Sequence, residues 1–273
     1  MAEPLTRRTF LRSVGTVAAM TAAARTRAAE PYRTGLESYS FHDVDLATTL
    51  ARTKELGLHY IELHDGHVPY TSPPADLARA KQAFKRAGIT PSGVYIHDAF
   101  TDSEAVARPI FEYARTMGFG YINGQPKPES LALLDTLSPE YGVRIAIHNH
   151  GPGMRYQTLA DVTSVLERYP KLVSCVDIGH FARSHVDPVH AIRTIGRRMI
   201  AVHIKDVDAA GENVVLGEGT IDLPGVFAAL ADLHFTGLVV LEYEGDFDDM
   251  AARLEGMRQS LVVMRKMIGD SLK

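Results

Sequence analysis

The chain has 273 residues, of which 45% are hydrophobic and 23% charged, a composition typical of globular proteins and sufficient for one large core. Its formal net charge is −4, and the sequence contains no long basic run. A nucleic acid or an anionic membrane surface therefore has no electrostatic support as a partner, and a small-molecule ligand is favoured.

The first 29 residues differ from the rest of the chain. Arg7, Arg8 and Arg12 precede an apolar stretch of small residues at 14–24. This order is typical of a twin-arginine export signal, and the apolar stretch is well short of the ~20 residues that span a bilayer. The alternative is a basic tail with a chance arginine pair. We predict an export signal over residues 1–29, a periplasmic or exported domain, and no stable membrane insertion.

Short apolar runs alternate with segments of helical periodicity along the remaining chain. The predicted strands cover residues 35–41, 59–63, 92–97, 120–123, 144–148, 172–178, 200–204 and 238–243. The predicted helices cover residues 46–56, 75–87, 104–117, 129–141, 159–169, 188–195, 223–233 and 248–267. Glycines at 57, 88, 118 and 142 follow the first four helices, where C-terminal caps are expected.

This order predicts an α/β fold, a (β/α)8 TIM barrel in a single domain over residues 30–273, because such barrels take about 250 residues. A doubly wound open sheet is the alternative, but residues 37–42 contain no glycine and hence no phosphate-binding loop. The lone cysteine, Cys175, lies in an apolar run and is predicted to be a small core residue rather than a nucleophile.

Titratable residues collect where the predicted strands end, which is the catalytic end of a TIM barrel. In the run IAIHNHG at 145–151, His148 and His150 are two residues apart and should face the same way. Two histidines and two carboxylates that converge there could hold one divalent ion with open positions for substrate. The strand-end residues are Glu62, His64, Tyr95, His97, His148, His150, Asp177, His180, His203, Lys205, Glu242 and Glu244.

Four of these motifs resemble a known family. The runs VDIGH at 176–180, HIKD at 203–206, LGEGTID at 216–222 and LE at 241–242 are similar to those of the xylose isomerase-like barrel superfamily. That superfamily includes sugar and sugar-phosphate isomerases and epimerases, inosose and dehydroshikimate dehydratases, and endonuclease IV. The resemblance extends from residue 34 onward.

The resemblance implies a metal site. Its ligands would be Asp177, His203, Glu242 and the strand-five residue, which is a glutamate in the epimerases and His148 here. Two imidazoles and two carboxylates shift the preference away from magnesium, so the expected cofactor is one divalent ion, with Mn, Zn or Co favoured.

The exchange of glutamate for His148 also bears on the reaction that the resemblance implies. An imidazole that gives its lone pair to a metal cannot also act as a base, which disfavours two-base epimerisation. We predict proton abstraction next to a carbonyl and a metal-stabilised enediolate, followed by elimination, in a lyase or dehydratase of a keto-sugar, keto-glycoside or keto-cyclitol. The alternatives are a sugar or sugar-phosphate isomerase or epimerase on the same site, and a metal-free sugar-binding protein.

Roles follow for the remaining strand-end residues. The predicted catalytic residues are His150, Glu62, Glu242 and Lys205, with His150 the first choice for acid–base work. The predicted substrate contacts are His97, His180 and Glu244. For Lys205, an ion pair with the adjacent Asp206 is the alternative interpretation.

A nuclease is disfavoured. The trinuclear endonuclease site uses an additional Asp and His, and the corresponding positions here are Gly211 and Asn213. The predicted partner is therefore a small carbohydrate and not a nucleic acid. A homo-oligomer remains open at this stage.

Overall fold

The strands form a closed parallel barrel. The computed structural model describes residues 32–271, and the predicted export signal lies outside these residues. The barrel strands are β1 (Arg33–Glu37), β2 (Tyr60–His64), β3 (Thr90–Tyr95), β4 (Tyr121–Gly124), β5 (Arg144–His148), β6 (Val173–Asp177), β7 (Met199–Ile204) and β10 (Leu238–Leu241); β8 (Asp206–Val207) and β9 (Asn213–Val214) make a separate antiparallel hairpin. The barrel order is β1-β10-β7-β6-β5-β4-β3-β2, and β2 also pairs with β1. The predicted single-domain (β/α)8 TIM barrel is confirmed.

Helices cover the outside of this barrel. They are α1 (Leu46–Glu55), α2 (Pro74–Ala87), α3 (Glu104–Met117), α4 (Leu131–Tyr141), α5 (Leu159–Arg168), α6 (Ile178–Arg183), α7 (Pro188–Ile195), α8 (Leu223–Asp232) and α9 (Met250–Asp270). Gly88, Gly118 and Gly142 cap α2, α3 and α4 in the left-handed conformation, as their positions predicted. Within the part of the chain that is described, no helix has both the length and the hydropathy to cross a bilayer.

The first predicted strand was too long, because the chain turns at Ser38. Residues 38–41 form a 3-10 turn, which Glu37 initiates by accepting a hydrogen bond from the Tyr39 N–H at 3.1 Å. Ser38 Oγ then accepts from the His64 N–H at 2.7 Å, and Ser40 Oγ accepts from the Tyr243 N–H at 2.9 Å. These bonds fasten the turn to the ends of two other strands. The short helix α6 and the β8–β9 hairpin were also not predicted.

Two apolar clusters fill the fold. The larger lies between the sheet and the helices, where Ile61, Phe111, Val176 and Phe227 are fully buried. The smaller fills the barrel interior with Tyr121, Ala146, Val173, Cys175, Ala201, Leu238 and Val240. Cys175 is buried and unpaired, so the prediction that it is a core residue is confirmed. The smaller cluster makes the lower part of the barrel interior apolar, so the polar residues of the interior lie toward the C-terminal ends of the strands.

Arg253 of α9 connects the loops that follow β1 and β10. Its guanidinium is fully buried and donates to both carboxylate oxygens of Asp43, at 2.6 and 3.0 Å. It also donates to the backbone carbonyls of Ser40 and Phe247. A buried guanidinium needs such partners because its desolvation is costly when it is left unpaired.

Replacing Arg253 tests its contribution to the stability of the fold. We expect Arg253→Met to lower the free energy of unfolding by about 2–4 kcal/mol, because Asp43 and two carbonyls lose their donor. The matched control is Arg193→Met, whose ion pair with Asp232 is exposed on both sides and should change stability by less than about 0.5 kcal/mol. Urea unfolding of both variants measures the difference, and equal stabilities would contradict the assignment.

Candidate metal centre and pocket

A cavity of about 630 Å³ opens at the C-terminal ends of the barrel strands. Its walls combine histidines, carboxylates and tyrosines, whereas the barrel interior beneath is apolar. The lining residues are Glu37, Tyr39, His64, Tyr95, His97, His148, His150, His180, Arg183, His203, Gly211, Glu212, Glu242 and Glu244. Seven of the predicted site residues therefore line this cavity, and the other three, Asp177, Lys205 and Glu62, are buried and do not line it.

Four buried donors converge beneath this cavity. His148 Nε2 lies 3.3 Å from His203 Nδ1, which lies 2.8 Å from Glu242 Oε2. Asp177 Oδ2 is 3.8 Å from His203 Nδ1 and 3.9 Å from His148 Nε2. All four ligand atoms lie within 4.8 Å of one another, and all four residues are buried. They come from the ends of β5, β6 and β7 and from the residue after β10.

These donors fit a divalent cation. Donor atoms about 2.1 Å from a tetrahedral ion would be about 3.4 Å apart, which the separations of 2.8–3.9 Å bracket. Asp177 Oδ2 is buried and receives no hydrogen bond from a backbone N–H, so this carboxylate oxygen is shared only between the donor group and the ammonium of Lys205 at 3.0 Å. Burial lowers the pKa of His148 well below its usual value, which keeps the ring neutral and its lone pair available for a metal.

Lys205 shares two of these oxygens. Its Nζ lies 3.0 Å from Asp177 Oδ2 and 3.0 Å from Glu242 Oε2, and it also pairs with Glu244. Burial opposes the charge on this lysine, but the three carboxylates hold its pKa well above the usual value. A side chain at Gly179 would collide with the aliphatic part of Lys205, so glycine is required for the lysine to reach this position.

The proposed alternative for Lys205, an ion pair with Asp206, is wrong. The Asp206 carboxylate turns away and accepts the backbone N–H groups of Gly217, Gly219 and Ile221, at 2.9, 3.1 and 3.2 Å. Backbone donors from the LGEGTID run satisfy it, which leaves Lys205 to the carboxylates of the site. Asp206 therefore organises the loop between β9 and α8.

Glu62 lies beneath His203 rather than on the pocket wall. His203 Nε2 lies 2.8 Å from Glu62 Oε1, opposite the nitrogen that faces the donor group. Asn123 Nδ2 and Tyr121 OH donate to the same carboxylate, which is fully buried. The Tyr121 ring occupies the space that a side chain at Gly93 would fill. This geometry orients the imidazole, and it differs from the substrate-facing position expected for an acid–base residue.

Glu62 is therefore expected to control metal affinity. A carboxylate behind a ligating histidine fixes its tautomer, and losing such a partner typically weakens metal binding 10–100-fold. We expect Glu62→Gln to weaken the affinity for Zn or Co by about that factor, measured by titration against a competing chelator. The control is Glu218→Gln, at an exposed loop position. An unchanged affinity in Glu62→Gln would rule out this role.

The two remaining predicted histidines of this side are stacked. The rings of His150 and His180 are 3.8 Å apart at an angle of 24°. Gly151 N–H donates to His150 Nδ1 at 2.9 Å, so the neutral ring of His150 carries its proton on Nε2. Burial lowers the pKa of both histidines, which keeps them neutral near pH 7. His150 is thus placed to donate a hydrogen bond into the pocket rather than to accept one.

Arg183 lines the cavity next to His180. Its guanidinium donates to the carbonyl of Gly211 at 2.8 Å and to Asn213 Oδ1 at 2.6 Å, and it contacts His180 Nδ1 at 3.1 Å. Asn213 Nδ2 in turn donates to Glu244 Oε2 at 3.2 Å. The two positions that distinguish this chain from the nuclease pattern therefore anchor the β8–β9 hairpin to α6.

Several lining residues were missed by the sequence analysis. Glu37 ends β1 and Tyr39 follows it, at the same end of the barrel as the predicted site, but their segment served only to exclude a phosphate loop. Arg183 lies three residues after His180, on a helix that was not predicted. Position at a strand end was the signal available for Glu37, and no sequence signal pointed to Arg183.

The partly buried imidazole of His64 makes stability depend on pH. Burial, with His67 and His42 nearby, lowers the pKa of His64 to about 4, below the usual 6.5. The unfolded chain binds more protons between these values, so stability is full above about pH 6.5 and falls as the pH drops toward 4. We expect a shallower loss in His64→Gln than in wild type, measured by urea unfolding with chelator present. The exposed control His190→Gln should keep the wild-type slope, and an unchanged slope in His64→Gln would contradict the expectation.

Comparisons with known proteins agree with this fold. The profile of the xylose isomerase-like TIM barrel matches residues 50–267, and the chain belongs to that family. An inosose dehydratase of Bacillus cereus (strain AH820) is 31% identical in an alignment of length 138 that covers 43% of this chain and 46% of that protein. The match thus spans about half the length of this curated relative.

Solved structures share the architecture. An uncharacterised protein from Parabacteroides distasonis ATCC 8503 is 26% identical, with a TM-score of 0.67, over 86% of this chain and 99% of the other. A D-psicose 3-epimerase crystallised with D-fructose is 18% identical, with a TM-score of 0.72, over 87% of this chain and 99% of the other. At that identity the second likeness shows the fold alone.

Proposed function

We propose that this protein is a divalent-metal-dependent lyase or dehydratase that acts on a keto-sugar, keto-glycoside or keto-cyclitol. The observation that carries the proposal is the group of four buried donors, His148, Asp177, His203 and Glu242, beneath a polar cavity. Family membership and the similarity to an inosose dehydratase support a sugar-modifying reaction.

The first step is removal of a proton from the carbon next to a carbonyl. Bound by the four donors, a divalent ion would act as a Lewis acid for that carbonyl and stabilise negative charge on its oxygen. Glu242 is the proton acceptor in this proposal. Its Oε2 contacts His203 and Lys205, while its Oε1 makes no hydrogen bond to any described residue. Burial raises the pKa of Glu242 from its usual value, which suits a base that works near neutral pH.

The second step is loss of a leaving group from the neighbouring carbon. The electron pair from the broken C–H bond forms a C=C bond as the C–O bond breaks, and the departing oxygen takes the proton that Glu242 received. Lys205 supplies positive charge beside Glu242, and His150 Nε2 can donate a hydrogen bond to a substrate oxygen. His97, His180 and Glu244 complete the proposed substrate contacts.

Elimination is favoured over two-base epimerisation by the position of His148. Epimerisation needs a second proton carrier on the other face of the substrate, and His148 instead directs Nε2 into the donor group. The neutral rings of His150 and His180 stack on each other and act as donors on that side. We also propose that residues 1–29 are an export signal, so that the reaction takes place in the periplasm or outside the cell.

The test combines metal analysis with proton exchange in deuterated water. We expect one equivalent of a transition metal in wild type, exchange next to the carbonyl of a keto-sugar, and appearance of an unsaturated product by NMR. His148→Ala should lose the metal and at least about 100-fold in exchange rate, while the exposed control His190→Gln keeps both.

Other outcomes have defined meanings. Exchange with formation of an epimer or an isomer would replace the lyase by the isomerase alternative. Wild-type protein without metal that still binds sugar would favour the binding-protein alternative. Full metal retention in His148→Ala would overturn the ligand set.

A further inference from the structure

The cavity has two unlike walls. The cavity-lining members of the donor group form a charged wall, with Asp177 and Lys205 buried behind it, and the proposed reaction uses this wall. A chain of ring side chains from the ends of β2 and β3 and the loops after β1 and β10 forms the other, and the reaction gives it no role. We call this chain the aromatic wall: Tyr39, His64 and Tyr95 line the cavity, and His42 and Phe247 pack against Tyr39 at the outer end.

The aromatic wall begins at a proposed metal ligand and runs outward to the rim. The Tyr95 ring lies 5.3 Å from that of His148 and 6.0 Å from that of His64, to which it is nearly parallel at 16°. His64 is 5.2 Å from Tyr39, and Tyr39 stacks on His42 at 4.6 Å and 15°. Successive centroids are 4.6–6.0 Å apart, so the rings extend farther than one six-membered sugar.

Polar atoms of three of these rings are engaged with other groups of the protein. Tyr95 OH donates to His97 Nδ1 at 2.8 Å, and His64 Nδ1 accepts from the Gly66 N–H at 3.2 Å. His42 Nδ1 lies 3.0 Å from the carbonyl of Tyr39. Neutral aromatic faces bind the apolar face of another ring by dispersion and stacking.

The outer end of the wall is held in place. Phe247 meets His42 edge-on at 4.8 Å and Tyr39 at 6.4 Å. The buried guanidinium of Arg253 lies 5.0 Å from the Phe247 ring and binds the Phe247 carbonyl. A preorganised surface loses little conformational entropy when a ligand binds.

We propose that the aromatic wall is a subsite for a second ring, so that the preferred substrate is a keto-glycoside whose cyclic aglycone stacks on Tyr39 and His64. This inference rests on the proposed function and specifies its substrate class. A cavity of about 630 Å³ is several times the volume of one sugar ring, and Tyr39 and His64 line it beyond the donor group. The keto-sugar then occupies the charged wall, and the second ring occupies the remaining space.

The chemistry of elimination is consistent with this placement. With the carbonyl at C3 of the sugar, the acidic C–H is at C2 and the leaving group is the glycosidic oxygen at C1. The C2–H and C1–O bonds break, a C1=C2 double bond forms, and the aglycone leaves as an alcohol that carries the proton. No oxidant or reductant is needed.

The side of the cavity that Arg183 lines does not offer a phosphate site instead. Arg183 already uses its guanidinium on Gly211, Asn213 and His180. Glu212 and Glu244 flank it on the cavity wall, and Glu244 pairs with Lys205. A sugar phosphate would meet fixed negative charge and a saturated arginine there.

The experiment compares the phenyl and methyl 3-keto-β-glucosides as substrates. We expect wild type to prefer the phenyl glucoside in kcat/KM, and Tyr39→Ala to reduce that ratio about tenfold, since one aromatic stacking contact has about that weight. Tyr39→Phe keeps the ring and should keep the ratio, as should the remote control His190→Gln. A wild-type ratio near one, or equal losses on both glucosides in Tyr39→Ala, would overturn the subsite.

A binding measurement separates this inference from the proposed function. Saturation-transfer NMR with the unoxidised phenyl glucoside needs no turnover, and we expect contacts to the phenyl ring in wild type that are lost in Tyr39→Ala and kept in Tyr39→Phe. Phenyl contacts without any elimination would refute the lyase and retain the subsite. Elimination of the methyl glucoside without phenyl contacts would refute the subsite and retain the lyase.

Discussion

His203 is held at both ring nitrogens by buried carboxylates, and the arrangement of the site depends on that constraint. Glu62 takes one nitrogen from below and Glu242 meets the other from above, each at 2.8 Å. Because the ring is fixed in this way, its Nδ1 lies within 4.8 Å of the ligand atoms of His148 and Asp177. The apolar barrel interior beneath excludes water, so these contacts act in a medium of low dielectric constant.

Such a cluster contributes to function more than to stability. A buried charge loses its hydration, and this cost is offset only where the charge has an ion-pair or hydrogen-bond partner. A partly satisfied network is therefore less stable than an apolar core. The chain satisfies the outer members with side chains and backbone: Tyr121 and Asn123 at Glu62, and Asn149 at the backbone of Asp177. Asp177 Oδ2 instead pairs with the buried ammonium of Lys205 at 3.0 Å, and this concentration of buried charge marks the candidate site.

Much of the fold and of the candidate site could be predicted from sequence, because in a parallel barrel the order of the strands along the chain determines where their ends lie. Strands separated by helical periodicity, with polar residues at one end, specify the architecture and bring His148, Asp177 and His203 to one face. Periodicity could not show that Glu37 would turn the chain into a 3-10 helix, because that depends on one side-chain hydrogen bond. Periodicity also could not show which carboxylate pairs with Lys205, because the adjacent Asp206 and carboxylates distant in sequence were both candidates.

The aromatic wall was beyond sequence reasoning for a related reason: its members lie up to 208 positions apart, and each is unremarkable in its own loop. Gly179 shows the opposite case, in which one position has a wide effect. The absent β-carbon is what admits Lys205 to the carboxylates. The presence of a positive charge among these carboxylates thus depends on a single missing atom, and a change from glycine to alanine would displace that charge without adding or removing any charged group.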